Sequence, residues 1–80
     1  MIADGDAFDA AFDLVMRELR NAESKWPGWP TDPVHGAAVV AEESGELVQA
    51  ALDFTYSNGG IGPIQLEAAQ VAAMGIRMLV

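Results

Sequence analysis

The residues of this 80-residue chain whose types and spacing could do chemistry are its glutamates. At about 100° per residue on a helix, Glu42, Glu46, Gln49 and Asp53 fall within roughly 60° of arc, and Glu43 lies roughly 60° beyond Glu46. Four carboxylates thus share one broad face, and no Lys or Arg lies between Pro33 and Phe54 to relieve their repulsion. Such a face is either solvated or turned toward a cation. Farther along, Glu67, Gln70 and Arg77 stand at i, i+3 and i+10, a narrow polar stripe on an otherwise apolar helix. A helix so apolar is buried on most sides, which places Glu67 near protein, where an unpaired carboxylate is costly. Arg77 or a metal ion would compensate it. Glutamates from two neighbouring helices supply the hard oxygen ligands that Mg²⁺ and Mn²⁺ prefer.

Three helices must position these residues. The first is expected over about Asp6 to Ser24, with Phe8, Ala11, Phe12, Val15, Met16 and Leu19 recurring at helical steps. Asp4, Asp6 and Asp9 near its start, and Arg17 and Arg20 near its end, suit the helix dipole. Three prolines between Lys25 and Pro33 break the chain there. Thr31 or Asp32 then caps a second helix over about Pro33 to Phe54, with Pro33 near its first position. Asn58-Gly59-Gly60 and Gly62-Pro63 turn the chain into a third helix over about Ile64 to Val80. Nothing reads as a strand, so the class is all-α.

Composition narrows the function. Apolar residues, glycine included, make about 60% of the chain against about 45–50% in ordinary domains. A single small domain cannot hide that much, so a four-helix-bundle-like core completed by a second copy is expected, as a homodimer or homotetramer. Gly45 and Gly75 inside helices each cost about 1 kcal/mol relative to Ala, and close helix approach is the expected reason. The formal charge of −8 disfavours binding to a nucleic-acid polymer. Without cysteine there is neither a disulfide nor a thiolate site. No signal peptide is read, and the longest strongly apolar helical run, Ala68 to Ile76, is too short to span a bilayer, so a cytoplasmic protein without membrane contact is expected. His35 has no Glu three residues before it, which argues against a ferritin-like di-iron bundle. No Gly-x-Ser-x-Gly or Walker-type loop is present.

Glu42-Glu43-Ser44-Gly45-Glu46-Leu47, followed after a turn by Glu67-Ala68-Ala69-Gln70, resembles the EExxE…ExxD signature of the MazG-like all-α nucleotide pyrophosphohydrolases. The resemblance covers roughly Trp26 to Leu79. It implies Mg²⁺-dependent hydrolysis of a nucleoside triphosphate to the monophosphate and pyrophosphate. On that pattern Glu43, Glu46 and Glu67 would be metal ligands, and Glu42 a further ligand or the base that orients water. Glu42 and Glu46 would be the catalytic pair. Gln70 replaces the signature's Asp and offers a neutral carbonyl oxygen without charge. That departure admits a second reading, a catalytically weak or inactive relative serving as an oligomeric interaction module. Asp53, on the same stripe as Glu46, is a candidate to compensate. Lys25 and Arg77 are the candidate phosphate contacts. Trp26 and Trp29 either plug the corner between the first two helices or offer one ring to a nucleobase.

Overall fold

The computed structural model describes residues 5–80. Asp4, assigned above to the first helix's dipole, lies outside the described residues. Three helices follow one another: α1 (Gly5–Lys25), α2 (Pro33–Tyr56) and α3 (Gly62–Leu79), with no strand among the described residues.

Local chemistry sets each boundary. Lys25 is the last residue of α1, and Pro27 follows. Asp32 is the N-cap of α2, its Oδ1 accepting the Val34 N–H at 3.0 Å, and Pro33 occupies the first turn, where no donor is missed. The C-terminal end of α2 outlasts the expected Phe54 by two residues. There Asn58 takes a φ of 61°, the left-handed region that Asn tolerates, and the Asp53 carbonyl accepts both Ser57 N–H at 2.9 Å and Gly59 N–H at 2.8 Å. A Cβ on Gly59 would lie 3.1 Å from the Asp53 carbonyl carbon, so that close return favours glycine. Helix α3 begins at Gly62, two residues before the expected Ile64, with Pro63 in its first turn.

Helix α3 is the central element. It packs against both α1 and α2, whereas no Cα of α1 comes within 8 Å of one in α2. The core is correspondingly narrow. Leu19 of α1 meets Ala73 and Met74 of α3, and Val39, Val40 and Trp29 close the cluster from the side of α2 and its preceding connector. Ala73 is fully buried, but no large side chain among the described residues is completely sealed from solvent.

Much apolar surface stays outside. Phe8 and Phe12 stack with ring centroids 6.5 Å apart, yet are 48% and 63% exposed. The chain presents 5841 Å² to solvent, where a compact monomer of 8.5 kDa presents about 4,650 Å². Its Cα radius of gyration is 13.7 Å against about 11.6 Å for a compact domain of this length.

Candidate functional site

Periodicity places two of the glutamates at core positions. Glu43 stands seven residues from each of the buried Gly36 and Ala50, and Glu67 stands seven residues before the buried Met74. Both therefore turn inward where α2 and α3 pack, and both are half-buried. Glu46, one turn after Glu43, remains exposed at the edge of the same seam. One carboxylate oxygen from each of Glu43, Glu46 and Glu67 lies within 4.8 Å of the other two.

These carboxylates are poorly compensated. Glu43 Oε2 and Glu67 Oε2 are withdrawn from solvent and accept no hydrogen bond. Burial pushes the Glu43 carboxyl above the ordinary glutamate range, and the charge of Glu46, a side-chain hydrogen bond shared with Glu46, and the charges of Glu67 and Glu42 push it further. Glu67 is raised by burial first, then by Glu46 and by Glu18. Arg77, expected as one candidate partner of Glu67, turns elsewhere: its Nη2 donates to the Trp26 carbonyl at 2.5 Å and the Gly28 carbonyl at 3.0 Å. Its guanidinium also lies over the Trp29 ring, 4.9 Å from the centroid.

Glu18 of α1 is a residue that the sequence reading missed. Its Oε1 accepts from Gln70 Nε2 at 3.0 Å, and its Oε2 from Asn21 Nδ2 at 3.4 Å. The available signal was its place between Leu14 and Ala22, where it interrupts an apolar series at four-residue steps. The bond to Glu18 fixes how Gln70 is used. The amide nitrogen faces α1, leaving the carbonyl oxygen as the group that could face a cation.

Most of these groups, though not Glu67, border one open cleft of about 480 Å³, within the usual size range of small-molecule sites. Helix α1 contributes Glu18 and Lys25, α2 contributes Glu42, Glu43 and Glu46, and α3 contributes Gln70, Met74 and Arg77. Glu42 lies on the exposed wall, outside the group of three carboxylates. Trp26 and Trp29 border the cleft in different ways. Trp29 is half-buried against the Leu19–Ala73–Met74 cluster and plugs the corner, whereas Trp26 is 70% exposed. Asp53 is not part of the site: its Oδ1 accepts from Gln49 Nε2 at 2.9 Å on an exposed stretch of α2. His35 is exposed and does not border the cleft.

The three carboxylates are placed so that they could hold a metal ion, and they do not by themselves indicate which one. Three carboxylates converge from two helices, two of them carry shielded oxygens without a partner, and no salt bridge reaches them among the described residues. In comparisons with known proteins the chain matches no family model, no curated protein and no solved structure. No described helix is long and apolar enough to cross a membrane.

Proposed function

We propose that the chain is a Mg²⁺-dependent nucleoside triphosphate pyrophosphohydrolase of the MazG-like kind, converting an NTP or dNTP to the monophosphate and pyrophosphate in the cytoplasm. The observation that carries this reading is the convergence of Glu43, Glu46 and Glu67, two of them with shielded oxygens, beside a nucleotide-sized cleft that Glu43 and Glu46 line. Glu43, Glu46 and Glu67 would hold Mg²⁺ or Mn²⁺, with the Gln70 carbonyl as a neutral fourth oxygen. The bound ion would neutralise phosphate charge and so make a triphosphate compatible with a carboxylate-lined cleft.

The remaining roles fall to the chain's own groups. Water attacks the α-phosphorus, the bond from that phosphorus to the bridging oxygen breaks, and pyrophosphate leaves. Glu42 or Glu46, on the exposed wall, takes the proton of the attacking water. Lys25, exposed at the rim, meets the departing phosphates, and the open face of Trp26 stacks on the base. Arg77 holds the Trp26–Gly28 backbone in place for that contact.

The test is pyrophosphate release across a panel of NTPs and dNTPs with and without Mg²⁺, beside Mn²⁺ titration calorimetry of the wild type and of Glu43→Gln. Turnover that requires the metal, and metal binding lost in Glu43→Gln, are the expected results. A second reading, a catalytically weak interaction module, is favoured by Gln70 itself, a neutral amide whose Nε2 is engaged by Glu18. It prevails if Mn²⁺ binds, no nucleotide turns over and Gln70→Asp restores turnover. Absence of metal binding in the wild type sinks both.

A further inference from the structure

Glu18 is a carboxylate that the reaction outlined above leaves without a task. It stands half-buried on α1, next to the anchor Leu19, and lines the cleft with Gln70, Glu43 and Glu46. Its hydrogen-bond partners are two neutral amides, Gln70 at 3.0 Å and Asn21 at 3.4 Å, so neither bond neutralises its charge. A residue that served only to join α1 to α3 could be a glutamine, whose carbonyl accepts the same bond without setting another carboxylate beside Glu43, Glu46 and Glu67. The charge at position 18 is therefore not explained by packing. It also reaches the cluster: Glu67, raised first by burial and then by Glu46, is raised further by the charge of Glu18.

The bond between Glu18 and Gln70 has a direction. An ionised carboxylate only accepts, so Gln70 meets it through its amide nitrogen, and the Gln70 carbonyl oxygen is the end left for the seam. Gln70 stands one turn after Glu67 on α3 and lines the cleft beside Glu43 and Glu46. The bond is part-buried, where a lower dielectric strengthens it. Donation to a full negative charge polarises the planar amide and concentrates electron density on its oxygen, as a carboxylate does from the far side of a ligating histidine.

We propose that Glu18 is a positioning residue for the cation: it orients the Gln70 amide and strengthens the Gln70 carbonyl oxygen as a ligand, acting through that amide and not by touching the ion. This deepens the metal reading of the site and rests on it. Two helices then divide what one carboxylate at position 70 would do, Gln70 contributing the oxygen and Glu18 the charge.

The test is Mn²⁺ titration calorimetry of the full chain at pH 7.5, with Glu18→Gln made both in the wild type and in a Gln70→Met background. Glu18→Gln keeps an acceptor of equal length for Gln70 and removes only the charge. It should weaken Mn²⁺ binding by about tenfold or more, as is usual for the outer partner of a metal ligand. In the Gln70→Met background the same change should alter affinity by less than about twofold, because the amide that carries its effect is gone. Wild-type affinity in Glu18→Gln overturns the proposal and leaves the metal site standing. A loss as large in the Gln70→Met background as in the wild type also overturns it, since Glu18 would then act on the fold and not through the amide. Absence of Mn²⁺ binding in the wild type removes the metal site itself, and this inference with it.

Discussion

Glu43 and Glu67 dominate the residue scale, because each is raised by burial and by neighbouring carboxylates without a cation to offset either effect. A folded-state pKa above the unfolded value means that the folded chain holds more protons across that interval. Stability from these groups is present at low pH and is lost as pH rises from about 4.5 through the raised values. The metal-free chain should therefore melt at a higher temperature near pH 5 than near pH 7.5, and saturating Mg²⁺ should reduce that difference. A metal-free melting temperature that falls toward pH 5 would contradict the assignment. Glu43→Gln should stabilise the metal-free chain at pH 7.5 by on the order of 0.5 kcal/mol after solvent screening, roughly 2–4 °C, while removing the metal response. Gln70→Asp should act in the opposite direction. It removes the donor to Glu18 and sets two carboxylates against each other, at a cost of about 1–2 kcal/mol, and Glu18→Gln in the same chain should recover most of that loss. Glu43, Glu46 and Glu67 were legible because periodicity alone assigns them to helix faces. Glu18 was legible only as an interruption of the apolar Leu14–Ala22 series, and its partner Gln70, 52 residues away on another helix, leaves no local signature.

Prolines and glycines made the three helices readable to within two residues at every end, because their backbone constraints act locally. The connector between α1 and α2 was only half readable. Its breaks follow from Pro27, Pro30 and Pro33, but the Arg77 bonds that hold it end on backbone carbonyls, which carry no residue signature. Arg77→Met keeps the side-chain length while losing both bonds and the stacking on Trp29. It should destabilise the chain by about 1–2 kcal/mol and shift tryptophan emission to the red as Trp29 becomes wetter. An unchanged emission maximum would show that the connector holds without it. Gly36→Ala tests the same corner from α2, since a Cβ there would lie 2.7 Å from Met78 Sδ and 3.2 Å from Trp29 Nε1. The thioether can swing aside, so the indole decides the outcome. Emission should change in this variant too, with a smaller loss of stability.

At the scale of the whole molecule, a surplus of apolar residue was evident from composition, but its placement was not. The surplus is spread over α2's outer face, over Phe8 and Phe12 of α1, and over Leu66, Met78 and Leu79 of α3, the sides of α3 that face α1 and α2 being the buried ones. If a second copy covers this surplus, the urea midpoint should rise with protein concentration, and a midpoint unaffected by tenfold dilution would contradict association. The central position of α3 also orders the folding of one subunit. Helices α2 and α3 are neighbours in sequence and close a hairpin over a short loop, whereas α1 docks only onto α3 and must wait for it. Leu19→Ala, which removes the anchor of α1, should then speed unfolding about 30-fold for each 2 kcal/mol it costs and leave the folding rate nearly unchanged. Ala50→Gly, inside the hairpin, should slow folding instead. Of these three helices α3 leaves the ribosome after the other two, yet both depend on it, so α1 has no docking surface until α3 has been made.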